Sequence, residues 1–414
     1  MPEDRLWQDL MALAEITDPA KPYTRRCFTD RFLEGRRWLE RRFIEAGLTT
    51  RLDEGGNLIG RLDGAISGLK VLAIGSHSDT VPSGGRFDGP LGVLAGLEVV
   101  RLLKDHDVAL RHPLEIVDFL SEEPSDYGSS CIGSRAMTGF LDTGMLALRN
   151  PAGEPLKEAM TRMGAQPERL TAPLRDDIAA FLELHIEQAR VLEQGHIDIG
   201  LVTGIVGIAR VEIEFTGSAD HAGTTPFHLR RDALVAAADT VLQVRRLGEQ
   251  FSRTRNGCFI ATTGRMEVHP NASNVVPGLA RLMVEARAEQ ASHLDAFLEE
   301  VAQASLAAAS AAGVELSAFR SISRSEPSPC DGRLRDHLAS AAGNLSLKTV
   351  SLASGAGHDA GFMGRIAPMA MIFVPSREGR SHCPEEWTEP AQCAAGARVL
   401  YEAARRIDGD IAFG

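Results

Sequence analysis

The chain has 414 residues, 44% hydrophobic and 24% charged, a balance that suits a folded globular protein with room for two domains and excludes a disordered or fibrous one. Its formal net charge of −12, without a long Lys/Arg run, argues against nucleic acid or an anionic membrane surface as a partner. The opening Met1-Pro2-Glu3-Asp4-Arg5-Leu6 lacks signal-peptide character, no stretch is apolar enough to span a membrane, and the six cysteines show no C-x-x-C spacing, so a cytoplasmic protein with free thiols is expected.

Residues 5–46 carry apolar positions at helical spacing, Trp38, Leu39, Phe43 and Ile44 among them. The short apolar run 71–74, closed by Gly75-Ser76-His77, predicts a buried strand. A glycine-rich turn through Gly84, Gly85, Asp88 and Gly89 then leads into Leu91, Leu94, Ala95, Val99, Leu102 and Leu103, one apolar face of a helix. Residues 114–120 predict a strand ending at Ser121-Glu122-Glu123, and residues 181–184 one ending at His185. Strands alternating with helices predict an α/β domain, residues 1–206 and 326–414, built on a mostly parallel sheet with flanking helices. Ligand sites in such a layer lie beyond the carboxyl ends of the strands. Between residues 207 and 325 the texture changes to strand 209–215, helix 232–247, strands 258–266 and 280–288, helix 294–312 and a last strand near 314–319. That β-α-β-β-α-β order predicts an inserted ferredoxin-like α+β domain.

A hydrolytic two-metal centre needs a bridging carboxylate, terminal nitrogen or oxygen ligands on each ion, and a free carboxylate as base. Candidates for each stand at the predicted strand ends. His77 offers an imidazole, and Asp79 two residues on could orient its second nitrogen. Asp88 could bridge, although taken alone an aspartate there reads more readily as a helix N-cap. In the pair Glu122-Glu123 one acid could ligate while its neighbour faces substrate; His185 and His382 complete the set. Each of these, singly, has a commoner explanation as a surface or core polar residue.

Their joint occurrence resembles the M20 metallopeptidase clan. The segments that carry the resemblance are Gly75-Ser-His-Ser-Asp-Thr-Val-Pro-Ser-Gly-Gly-Arg-Phe-Asp88-Gly, Ser121-Glu-Glu, Glu183-Leu-His-Ile-Glu-Gln188, His221-Ala-Gly-Thr-Thr-Pro226, Asn274-Val-Val-Pro277, Gly355-Ala-Gly-His-Asp-Ala360 and Gly379-Arg-Ser-His382. They are most similar to the N-carbamoyl-L-amino acid hydrolase and allantoate amidohydrolase branch. The resemblance implies two divalent ions per subunit, with zinc foremost and manganese, cobalt or nickel also suited. His77 and His185 would serve one ion, Glu123 and His382 the other, and Asp88 both, with Glu122 as general base. It further implies His221 as an oxyanion stabiliser, reached by domain closure or from a partner subunit, and an inserted domain acting as lid or homodimer surface. Arg210, Asn274 and Arg287 would clamp the carboxylate of a small-molecule substrate, Gln188 would touch it beside the metals, and Gly357 and His358 would line its pocket.

Pro124, Asp126 and Ala189 depart from the clan's usual residues and bear on substrate choice rather than hydrolysis. An aminoacylase or dipeptidase on the same machinery is the main alternative. A cysteine amidase built on Cys131 lacks a partner base at a telling spacing, and a non-catalytic binding module would have lost ligands that are all present here.

Overall fold

The computed structural model describes residues 2–170 and 173–410. In chain order its strands are β1 (Thr49–Leu52), β2 (Leu58–Leu62), β3 (Val71–His77), β4 (Leu114–Phe119), β5 (Ile178–Ile186), β6 (Ile199–Ile205), β7 (Gly207–Thr216), β8 (Phe259–His269), β9 (Leu279–Ala288), β10 (Glu315–Ser325), β11 (Ser328–Pro329), β12 (Thr349–Ser354) and β13 (Met369–Val374). The chain divides into two compact units, residues 1–203 with 330–414, and residues 204–329.

The larger unit is organised by a sheet in the order β1-β2-β4-β3-β5-β13-β6, with β12 paired to β6. Its centre, β4-β3-β5-β13, is parallel, whereas β1, β2 and β6 join antiparallel at the margins. Every residue of β3, β4, β5 and β13 is buried. Such strands, covered on both faces, carry continuous apolar runs rather than alternation, which is why these segments stand out in the sequence. Because the four run the same way, with His77 beside Phe119 and Phe373 beside His185, their carboxyl ends gather on one rim. The helical spacing of residues 5–46 resolves into two helices, Pro2–Ala14 and Asp30–Glu45. Pro19 and Pro22 lie in the break, where each removes an N–H donor and restricts the residue before it. The second helix restarts at Thr29, whose side chain accepts from the Phe32 amide.

The smaller unit has a four-stranded antiparallel sheet in the order β10-β7-β9-β8. Burial alternates strictly along β7 and β9. One face, with Val211, Ile213, Phe215, Leu282 and Val284, is buried with residues of helices Ala233–Thr254 and Ala291–Ala312 in a single core. Phe251, Phe259 and Phe297 interlock there with ring centroids 5.0–5.6 Å apart. The opposite face is charged: Arg210, Glu212, Glu214, Arg281, Glu285 and Arg287 all lie on it, paired across strands except for Arg287 and Glu285, which pair along β9.

Candidate metal centre

His77 is the last residue of β3, Glu122 and Glu123 follow β4, His185 lies near the end of β5, and His382 follows β13. Asp88 precedes helix Pro90–Asp105. The helix is capped at Gly89 without a side-chain hydrogen bond, so Asp88 is not its N-cap and its carboxylate is free for another task. Gly89 has φ 83°, and a Cβ there would sit 2.3–2.5 Å from the His77 imidazole. Only glycine lets the turn bring Asp88 against that ring.

The Asp88 carboxylate stands at the centre of the cluster. Its Oδ1 lies 3.2 Å from His185 Nε2 and 3.7 Å from His77 Nε2, while Oδ2 lies 3.4 Å from His382 Nε2. His382 Nε2 is in turn 3.0 Å from Glu123 Oε1. Two triads result, His77/Asp88/His185 and Asp88/Glu123/His382, each with ligand atoms within 4.8 Å of one another and with Asp88 common to both. Glu122 belongs to neither; its Oε2 lies 3.6 Å from His77 Nε2 and its Oε1 accepts from the Cys131 thiol at 3.3 Å.

The donor set suits a divalent cation. His77 Nδ1 meets the Asp79 carbonyl at 3.1 Å and His185 Nδ1 the Ile186 carbonyl at 3.0 Å. A carbonyl can only accept, so both Nδ1 atoms carry hydrogen and each Nε2 is the atom left to ligate a cation. His185 Nε2 is buried without any hydrogen-bond partner, an orphan that a cation would satisfy. Asp79 serves both the ring and the turn: its carbonyl lies 3.1 Å and its Oδ1 3.5 Å from His77 Nδ1, and its carboxylate also receives the Glu122 and Glu123 amides, both at 3.2 Å. One buried side chain thereby fixes the turn that aims both glutamates.

Without a cation the electrostatics are strained in a consistent direction. Burial pushes the Glu122 carboxyl well above the ordinary range and Glu123 adds to it; Glu123 is also raised, by burial first. Burial would raise Asp88 too, but His185, His382 and His77 hold it well below its usual value. His382 is pushed up to about 11 by its hydrogen bonds to Asp88 and Glu123. Protons thus collect where the ligand atoms converge, as positive charge is what the site lacks.

Other predicted residues are placed less simply. Gln188 Nε2 is 2.6 Å from Asp88 Oδ2, so it contacts the shared carboxylate directly. His358 is buried, with Nε2 2.8 Å from Ser354 Oγ and its ring edge-on to His185, and burial lowers its pKa well below the usual imidazole value. Gly357 is exposed, and a Cβ there would meet no atom within 4 Å. In the smaller unit, His221 Nδ1 accepts from the Gly223 amide at 3.1 Å, which leaves its hydrogen on Nε2. His221 pairs with Val275, and the Ala222 amide donates to the Asn274 carbonyl, so His221 and Asn274 share one loop cluster.

Within that unit the three residues of the expected clamp divide between two places. Arg210 and Arg287 converge on the Glu285 carboxylate, at 2.6 and 2.7 Å. The His221/Asn274 cluster adjoins the other end of the sheet, beyond the Thr216–Leu279 pair. Eight residues of β9 separate Arg287 from Leu279, roughly 27 Å at a strand's rise per residue. Sequence order carries no record of which end of a sheet a residue occupies.

Two further residues escaped the sequence reading. Glu386 is fully buried; its Oε1 accepts from the Phe87 amide at 2.7 Å and the Asp88 amide at 3.1 Å, and its Oε2 from Ser381 Oγ at 2.9 Å. Ser381 Oγ also makes a short contact to Asp88 Oδ2. The only sequence signal for either was proximity to His382. Cys131, considered above as a nucleophile, is a buried thiol pushed far above the usual range by burial and by Glu122, the opposite of an activated thiolate.

The pattern of the peptidase family M20/M25/M40 matches residues 73–406. The N-carbamoyl-L-amino acid amidohydrolase of Geobacillus stearothermophilus is 39% identical, over 96% of this chain and 97% of that one. The allantoate amidohydrolase of Bacillus subtilis is 34% identical, over 91% and 90%. A hydantoinase/carbamoylase family amidase from Burkholderia multivorans has the same fold, with a TM-score of 0.90 and 35% identity over 99% of this chain and 98% of that one.

Proposed function

Since the chain belongs to the peptidase family M20/M25/M40, we propose that it is a metal-dependent amidohydrolase cleaving a linear C–N bond of a ureido acid, such as an N-carbamoyl-L-amino acid, allantoate or ureidoglycolate, with release of ammonia. The observation that carries this reading is the Asp88 carboxylate, with one oxygen toward His77 and His185 and the other toward His382. It supports two divalent ions per chain, zinc foremost and manganese, cobalt or nickel also suited to imidazole and carboxylate donors. When bound, the ions would polarise the scissile carbonyl and lower the pKa of water.

The chain's own residues then account for the proton traffic. Glu122 is committed to neither triad and keeps Oε2 turned toward the cluster, so it takes a proton from the attacking water as the water oxygen bonds to the ureido carbon. It returns that proton to the leaving nitrogen as the C–N bond breaks, and the carbamic acid that remains loses carbon dioxide as its proton passes to its own nitrogen, so a carbamoyl substrate ends as ammonia, carbon dioxide and an amine. His221, with hydrogen on Nε2, is a donor for the developing oxyanion, in a role that calls for domain closure or a second chain. Arg210 and Arg287 suit a substrate carboxylate, since Glu285 already occupies their shared fork with one. Asn274 stands with His221 rather than with the arginines, which supports a homodimer in which different chains contribute the two groups. The inserted segment, residues 207–325, is then a lid and dimerisation domain. Among the described residues no helix is long and apolar enough to cross a membrane, and free cysteines suit a reducing, cytoplasmic setting.

Ammonia release by the metal-loaded protein should be measured on N-carbamoyl-L-amino acids, allantoate and ureidoglycolate, against N-acetyl amino acids and dipeptides. Turnover of a ureido acid is expected. Turnover of the acyl or peptide substrates alone would replace this reading with an aminoacylase or dipeptidase.

A further inference from the structure

Glu386 is a buried carboxylate whose hydrogen-bond donors are all neutral: two backbone amides and one serine hydroxyl. Its nearest charged neighbour in that network is another carboxylate, Asp88. Holding two anions together out of water is unfavourable unless a compensating charge lies close by. The site nevertheless receives Glu386 with little tolerance. A Cβ on Gly85 would fall 1.9 Å from Glu386 Oε1, so the turn before Asp88 has been left bare where the carboxylate enters.

The contacts of Glu386 join two loops that are remote in sequence. Oε1 holds the amides of Phe87 and Asp88, and so sets the backbone from which the shared carboxylate projects. Oε2 holds Ser381, the residue before His382. Ser381 Oγ stands between Glu386 Oε2 and Asp88 Oδ2, and a hydroxyl has one hydrogen, so it can donate to only one of them at a time.

We propose that Glu386 is a positioning residue for cation binding: through the Phe87 and Asp88 amides and Ser381 it fixes the distance between the Asp88 carboxylate and His382. The inference rests on the metal-dependent reading above but needs no substrate to test. Removal of an outer hydrogen-bond partner of a metal site typically costs about 10–100-fold in affinity, and that is the expected loss for Glu386→Ala. Glu386→Gln keeps an acceptor for the two amides and lets its own NH2 donate to Ser381, so it should recover most of the affinity.

The test uses the full chain stripped with chelator and titrated with ZnCl2 against a chromophoric chelator, with a parallel CoCl2 titration read in the visible d–d bands. Circular dichroism melts of the metal-free proteins report whether each variant folds. The expected result is an alanine variant that folds, binds Zn2+ 10–100-fold more weakly and shows altered Co2+ bands, with the glutamine variant near wild type. Unchanged Zn2+ affinity and Co2+ bands in the alanine variant would overturn the proposal. If the alanine variant does not fold, Ser381→Ala decides: it removes one arm, and wild-type Zn2+ affinity there would refute the positioning role. A wild-type protein that binds Zn2+ yet hydrolyses no ureido acid would sink the functional reading and leave this one standing.

Discussion

Replacing Glu122 by glutamine separates the proton-transfer role from metal binding, because the side chain keeps its shape and lies outside both triads. Glutamine can still accept from the Cys131 thiol, which is 3.3 Å from Oε1 in the wild type, so the side chain should remain in place. What it loses is the ability to accept a proton. No other carboxylate in the cluster is free to substitute: Glu123 Oε1 is 3.0 Å from His382, and Asp88 is shared between the triads. General base catalysis contributes about 10²–10⁴-fold, and turnover should fall by that factor, about 3–5 kcal/mol in barrier height. Metal content should stay at the wild-type level. The metal-free protein should be no less stable than wild type, and this follows from the direction of the Glu122 shift. Its pKa in the folded state is raised well above 4.5, chiefly by burial, so the ionised folded protein is penalised as pH climbs from that value through the raised one. Glutamine removes the penalty. The assay is ammonia release at saturating ureido acid, with metal quantified on the same sample. More than a tenth of wild-type turnover, with metal fully retained, would refute the assignment of Glu122 as base.

Two other outcomes follow from the geometry. Asp79→Asn replaces one of the two oxygens that receive the Glu122 and Glu123 amides with an NH2, so one buried amide faces a donor; unfolding free energy should drop by about 1–3 kcal/mol and Zn2+ affinity should weaken, measured by denaturant titration and chelator competition. The metal-free protein should also lose stability between about pH 6.5 and 11. His382 is raised to about 11 in the fold by Asp88 and Glu123, and its contribution is complete below 6.5 and disappears as pH passes the folded value. Thermal melts across that range, with and without saturating Zn2+, should show the decline only in the metal-free series; a flat metal-free series would contradict it.

The centre was legible because its residues sit at the ends of buried strands, where an apolar run stops abruptly at a polar residue. That signal marks His77, Glu122, Glu123 and His185 without any knowledge of topology, since parallel strands deliver their carboxyl ends to one rim. Asp88 was ambiguous until the helix proved to be capped at Gly89. Glu386 was not legible, because nothing local distinguishes a glutamate four residues past His382 from a solvated one; only the bare Gly85 facing it shows why it is there. The division of the arginine and asparagine set between two places was not legible for a related reason. Alternation places Arg210 and Arg287 correctly on the charged face, but it does not report distance along the strand, and the loop holding Asn274 lies at the far end.

The tie between Asp88 and Glu386 spans 298 residues. At about 5–20 residues per second on a ribosome, roughly 15–60 s pass between the emergence of the first and the last members of this network. The amino-terminal ligands exist throughout that interval with no carboxyl-terminal partner. A nascent chain that stops short of residues 382–386 can therefore assemble only part of this cluster.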